Sequence, residues 1–487
     1  MTTVGGRAST DATVAHVMLR LGDLPSWLRD ASDPTQVATS LIAAIPELLS
    51  GTLELLACDV RRMRFRQDTW VGTYRIDLEE AASGRTSRVN LRAELVPPGR
   101  PLPEASAGPS RPFGAEGSSM VLPELRVGIM AEPPDALPAL GVLTDPEGAR
   151  ALLQRAITQG SRHYAGIRIV SCSPEVMRYN PGSRCTVRYR LELPPEQQSA
   201  WPAMVVAKTH HGGKGANAYK GMCALWSSPL GRSTVVRIAE PLAFIPEDNV
   251  LVQGPVPGSR TLEDLLKELL RSPGQLDRPA FERIRGVVSK VALGLAELHG
   301  CGVSLGETVA WADVLAEIGD RLVRLAAVAP VLEDAVEPLL ATLVVTSEDN
   351  PADPAVPSHG TFRPAQVLLH GDEIGFIDFD GFCQAEPAMD VALFRATLRD
   401  RGLRALPKST LANTSARRRG FEVIDELCDV FLEAYESAAP LSRRRVALWE
   451  GLELLSLVLG CWTKAKVELL DDRLELLRRH LVASGLR

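Results

Sequence analysis

Between Ser358 and Phe394 the chain reads SHGTFRPAQVLLHGDEIGFIDFDGFCQAEPAMDVALF, and polar residues there stand where charge is costly. Asp378 closes the apolar run GFI. A carboxylate in that setting is expensive unless it binds a cation or is capped by backbone amides. Gln366, at the start of the preceding strand, can offer an amide oxygen to the same ion. Far upstream, Lys208 ends the apolar run VVA, and no lysine precedes it in the chain. A lysine buried in a strand needs an anionic partner. A phosphate-holding lysine and a Mg²⁺-holding carboxylate are the groups on which phosphoryl transfer depends.

The elements that must position these residues fall into a small β-rich part followed by a large helical part. Strands are expected at MRYN, VRYRLEL, AMVVAKTHH, PLAFI and NVLVQG, with a helix near Ala218–Trp226. From Thr261 the pattern turns helical, through an amphipathic run from Phe281 to His299. Short β segments return only at QVLLH and IGFIDFD, joined by a tight His370-Gly371-Asp372 turn; from Pro387 onward the chain reads as helix.

Ahead of this lies a second copy of the β-rich elements. Asp33-Pro34 and Asp145-Pro146 each open a helix. Cys58 and Cys172, Met63 and Met177, and Tyr74 and Tyr189 follow in the same order. The separations are 112 residues at the Asp-Pro, 114 at the Cys and Met, and 115 at the Tyr, so the copies differ by small insertions. The third strand of the first copy, SRVNLRAEL, places Arg92 or Ala93 opposite Lys208 at that offset. The domain expectation is therefore a tail over 1–20, an N-terminal α+β domain over 21–135, a small lobe over 136–258 and a helical lobe over 259–487. The Pro-, Gly- and Ser-rich stretch 96–123 reads as a flexible loop.

Composition narrows the class. The chain has 487 residues, too many for one ordinary core, and a formal charge of −6 that argues against nucleic-acid or anionic-membrane binding. Arginine clusters at Arg417–Arg419 and Arg443–Arg445 are balanced by neighbouring acids. The eight cysteines show no Cys-x-x-Cys pair, which suits reduced thiols and a cytoplasmic protein rather than a zinc site. Neither a signal peptide nor a membrane span is expected.

The catalytic stretch resembles the aminoglycoside phosphotransferase and choline-kinase-like family, whose pattern is H-G-D-x-x-x-x-N followed by I-D-[FW]. Here it stands as His359-Gly360-Thr361, then Gln366, then Ile377-Asp378-Phe379; Glu386-Pro387-x-x-Asp390 resembles the family's downstream motif. The resemblance covers about residues 136–487 and implies an α+β, bilobal protein-kinase-like fold that binds ATP and Mg²⁺. It assigns Lys208 to the nucleotide phosphates and the turn with Gly182 and Ser183 to covering them. Gln253 and Gly254 fall in the hinge that bonds adenine. Asp378 and Gln366 become the metal ligands. Thr361, His359 and Asp378 are the candidate catalytic residues, and His299 is structural.

Three departures stand out. Thr361 occupies the place of the carboxylate that takes or orients the acceptor proton, and a general base is worth about two to four orders of magnitude. Gln366 replaces Asn. No Glu occurs between Thr209 and Ala239 to pair with Lys208. The resemblance implies an ATP-dependent phosphotransferase acting on a small hydroxylated metabolite. The departures favour a pseudokinase that binds nucleotide without turnover, with the N-terminal domain as a surface for a protein partner. A purely structural protein is the third reading.

Overall fold

In the computed structural model the described residues are 17–104, 119–131, 137, 139–180, 184–199, 201–210, 213–271 and 278–486. The chain divides into two compact units. One comprises 1–134, 312–349 and 451–487; the other comprises 135–311 and 350–450. Compactness thus separates Ala312–Asp349 and the C-terminal helices from the helical lobe that the sequence presents as continuous.

The two β sheets are copies of one design. In the first unit the strand order is Leu53–Arg66, Thr69–Glu80, Thr86–Leu95, Val127–Ala131, Ser119–Leu122. In the second it is Ser171–Asn180, Arg184–Glu192, Met204–Thr209, Val250–Gln253, Pro241–Ile245. Both are an antiparallel meander of three strands extended by a hairpin in reversed order. The preceding helices match too. Asp33 caps its helix by accepting from the amides of Thr35 and Gln36, and Asp145 accepts from Gly148, each with Pro at the first helical position. Tyr74 and Tyr189 are fully buried, and each donates its hydroxyl to the carbonyl two residues before the capping Asp: Ala31 at 2.6 Å and Leu143 at 2.8 Å. Two buried tyrosines making the same local bond are a strong mark of duplication.

The register corrects one expectation. Val71 pairs with Glu94, and Thr186, its counterpart, pairs with Lys208. Glu94, not Arg92 or Ala93, therefore stands where the second copy has its lysine. The insertion between the second and third strands is one residue shorter than the hairpin offset suggests.

The stretch 96–123 is less loop-like than its composition. Residues 105–118 lie outside the described residues, but Ser119–Leu122 is a strand with Met120 and Leu122 buried. The Arg126 guanidinium donates to the carbonyls of Val96, Pro97 and Arg100, which adds to the burial of Val96 and Leu125 in ordering the chain there. At the N-terminus, residues 17–22 are helical rather than tail, with Leu21 fully buried and its carbonyl accepting from Trp462 Nε1 at 3.0 Å. Residues 1–16 lie outside the described residues.

In the second unit the helices Leu262–Leu270, Arg278–His299, Pro387–Ala405 and Thr414–Glu436 pack around the catalytic segment. The first opens with a reciprocal Thr261–Asp264 capping box. Val367–His370 and Glu373–Phe376 form the expected hairpin, inside a four-stranded sheet completed by Arg260–Thr261 and the parallel strand Val236–Ile238. A short pair, Val356–Ser358 with Cys383–Ala385, was not expected; three residues carry no readable period. Helix Arg443–Lys464 is long and apolar enough to pass for a membrane span, yet 72% of its most apolar window is buried inside the fold.

Candidate active site

The loop at 358–361 is built on one carboxylate. Asp390, fully buried in the first turn of helix Pro387–Ala405, accepts from the backbone N–H of His359 at 2.6 Å and of Gly360 at 3.0 Å. It also meets His299 Nε2 at 3.3 Å, and His299 Nδ1 lies 2.7 Å from the Tyr435 hydroxyl. His299 is thus structural, as expected. Gly360 has φ +74°, and a Cβ there would sit 2.0 Å from the Gly381 carbonyl oxygen, so only glycine lets the two loops approach.

Those loops bring the predicted residues together. Gln366 Nε2 donates to Thr361 Oγ1 at 3.2 Å and to Asp378 Oδ2 at 3.3 Å. Asp378 has φ +75° and ψ +51°, a left-handed conformation that a non-glycine residue holds only under constraint from its surroundings. Lys208 Nζ, whose side chain is 12% exposed, is paired to Asp378 Oδ1 and lies 2.6 Å from Asp380 Oδ1. Three of the residues singled out in sequence, Lys208, Asp378 and Gln366, therefore share one bonded network with Thr361.

Asp380, two positions after Asp378, completes the network. It accepts from Lys208, meets His210 Nε2 at 2.9 Å and lies 3.9 Å from Arg184. Burial raises its pKa, but the His210 hydrogen bond and the Lys208 charge outweigh that and hold the carboxyl well below the usual range. This explains how Lys208 does without a helix glutamate. The second acid two positions after Asp378 supplies the partner, and the D-F-D spacing was the available signal. Helix Lys214–Ser227 contributes an amide instead: Asn217 Nδ2 donates to the Phe382 carbonyl at 3.0 Å.

His359 is fully buried, between the rings of Phe362 and Phe379. Its Nε2 lies 3.0 Å from the Ile377 carbonyl and its Nδ1 3.4 Å from Thr361 Oγ1. Burial lowers its pKa below the ordinary imidazole value, against the opposing pull of Asp390. Gln253 ends the strand Val250–Gln253, and the Gly254 N–H donates to the Glu240 carbonyl at 2.8 Å, so that amide is committed within the chain. Gly182 and Ser183 lie outside the described residues.

Two buried polar atoms of this network have no hydrogen-bond partner among the described residues, Gln366 Oε1 and His210 Nδ1. An orphaned amide oxygen beside a carboxylate is a donor set that fits a hard cation. Residues 230–427 match the family model of the phosphotransferase enzyme family. The match takes in Thr361, Gln366 and Asp378 and begins after Lys208 and the N-terminal copy.

No curated protein matches in sequence. Among solved structures, a choline/ethanolamine kinase family protein from Mesorhizobium loti is 15% identical with TM-score 0.44, over 70% of this chain and 97% of its own. A glucosamine kinase in complex with glucosamine, ADP and inorganic phosphate is 15% identical with TM-score 0.44, over 91% of this chain and 98% of its own. An aminoglycoside phosphotransferase bound to ADP and hygromycin B is 14% identical with TM-score 0.43, over 66% and 96%.

Proposed function

We propose that this chain is an ATP-dependent phosphotransferase that moves the γ-phosphate to a hydroxyl of a small metabolite. The observation that carries the reading is the network in which Lys208 is paired to Asp378 and Gln366 donates to it, the last two lying in the segment 230–427 that matches the phosphotransferase family. Lys208 is the phosphate-side cation. Asp378 and the unpartnered Gln366 Oε1 are the groups that would hold Mg²⁺, which supplies neutralisation of phosphate charge when bound. Among the described residues no three His, Cys, Asp or Glu converge on a metal site. An ion here would complete its shell with phosphate oxygens and water, as Mg²⁺ does. The neighbouring glucosamine kinase holds ADP with glucosamine and the aminoglycoside phosphotransferase holds ADP with hygromycin B, which is in keeping with a nucleotide donor and a small-molecule acceptor.

The pseudokinase reading is favoured by one observation, the hydroxyl of Thr361 in place of a carboxylate. Two measurements separate the readings. Thermal unfolding with and without Mg-ATP should show stabilisation of the native protein that Lys208→Ala and Asp378→Ala lose. ADP release should then be followed with glucosamine, choline and an aminoglycoside as acceptors. No thermal shift in the native protein rejects both readings. A shift with no ADP formed supports the pseudokinase.

A further inference from the structure

We propose that Thr361 and His359 together replace the missing carboxylate, as a two-group relay that takes the proton of the acceptor hydroxyl. The proposal rests on the phosphotransferase reading and adds the base that reading lacks.

The argument begins with hydrogen-bond roles. The Ile377 carbonyl can only accept, so His359 Nε2, 3.0 Å away, carries the hydrogen. Burial disfavours a second proton on the ring, so Nδ1 is a bare acceptor. The partner of Nδ1 is Thr361 Oγ1 at 3.4 Å, which therefore donates. The same oxygen accepts from Gln366 Nε2 at 3.2 Å. That amide is oriented by the Asp378 carboxylate, which accepts its other hydrogen. The Thr361 proton thus points at an imidazole nitrogen. A hydroxyl, an imidazole and a third group fixing the ring tautomer are the parts of an activated hydroxyl–base pair, and spacing is often loose before substrate binds.

His359 is fully buried and no acceptor can touch it. Thr361 is half-buried and stands between the imidazole and the site. A hydroxyl is the smallest side-chain group that can accept one proton while giving up another. In the step, the acceptor oxygen bonds to the γ-phosphorus, and the bond to the bridging oxygen breaks with its electron pair leaving on ADP. The acceptor proton passes to Thr361 Oγ1 as the Thr361 proton passes to His359 Nδ1. The imidazolium is favoured by the Asp390 and Asp378 carboxylates and disfavoured by burial and Arg363, so it returns its proton once product leaves. Transfer late in a loose transition state does not require a strong base.

The test has a spectroscopic arm and a kinetic arm. In full-length protein with ¹⁵N-labelled histidine, the long-range spectrum should show His359 Nδ1 as the unprotonated nitrogen, displaced by Thr361→Val. The opposite tautomer overturns the relay whatever the activity. With Mg-ATP and glucosamine, Thr361→Ser should keep turnover within a few-fold. Thr361→Val should lose about a hundredfold or more in kcat while its KM for ATP holds. His359→Gln should cost a similar factor in the native background but little once Thr361→Asp is present, since a merely structural histidine would cost the same in both. Full activity of Thr361→Val overturns the relay and leaves the kinase reading standing. Turnover in the Thr361→Asp variant with none in the native protein overturns it too. Absence of ADP from every variant rejects the phosphotransferase reading and the relay with it.

Discussion

Asp390 is the residue on which the geometry of the catalytic loop most depends, and its removal has a calculable cost. Three donors converge on this buried carboxylate: the amides of His359 and Gly360 and the His299 ring. Asp390→Ala leaves all three without their acceptor, each unsatisfied buried donor costing about 1–3 kcal/mol. Water entering the new space offsets part of this, so the expected loss is about 4 kcal/mol. That is a large share of the roughly 5–15 kcal/mol of a whole domain. Asp390→Asn retains an acceptor oxygen but turns its NH₂ toward another donor and loses the charge, for about 2 kcal/mol. Urea unfolding gives the totals. Hydrogen exchange read by mass spectrometry on peptides covering 358–362 locates them, because those amides should exchange faster in both variants than in the native protein. An Asp390→Ala protein within about 1 kcal/mol of native, with unchanged exchange at 358–362, refutes the reasoning.

Other perturbations follow from the same contacts. Asp380→Asn removes a carboxyl held low by His210 and Lys208. The native protein should therefore lose stability more steeply than the variant as pH falls below about 4, the unfolded carboxyl value, while above it the contribution is fully present. His359, whose folded pKa is depressed, contributes stability above about pH 6.5 that declines as pH falls toward the folded value. His359→Gln should flatten that part of the stability–pH curve. Glu386 and Arg445 form a buried bidentate pair that Trp449 Nε1 joins at 2.6 Å, so Glu386→Gln should cost about 3–5 kcal/mol in urea unfolding. Tyr74→Phe and Tyr189→Phe should each cost about 1 kcal/mol, the same bond being lost in each copy.

The sequence disclosed the parts of this molecule that local chemistry specifies. Asp-Pro helix starts, alternating strands and a carboxylate ending an apolar run depend on neighbours in the chain, and the structure has them where the sequence put them. Pairings that depend on register did not show. The shift of Glu94 onto the lysine position follows from strand pairing alone, since the offset along the chain drifts between landmarks. The strand Ser119–Leu122 was hidden by the Pro- and Gly-rich composition around it. Nothing near Lys208 itself marks its pairing with Asp380, 172 residues away; the D-F-D spacing is the one local trace.

The two copies show how one fold can carry opposite charge at the same position. Both sheets share strand order, helix caps and the tyrosine bond, so the scaffold carries no information about chemistry. At the lysine position one copy has Lys208 and the other Glu94, with matching burial at the flanking Ala207 and Ala93. A carboxylate there repels phosphate where an ammonium attracts it, and no rearrangement of the sheet alters that sign. Lys208, moreover, is held by two acids, Asp378 and Asp380, that lie in one three-residue segment of its own unit. Its orientation therefore does not wait on the position of the Lys214–Ser227 helix. A lysine clamped this way is set without any ligand, and under the proposed function incoming phosphates would have to share it with Asp378. On the proposed phosphotransferase reading, Asp378 would be drawn to Mg²⁺ when the ion is bound, so nucleotide affinity should rise steeply with Mg²⁺ and Asp380→Asn should make it less so, as titrations of ATP at fixed metal concentrations would read.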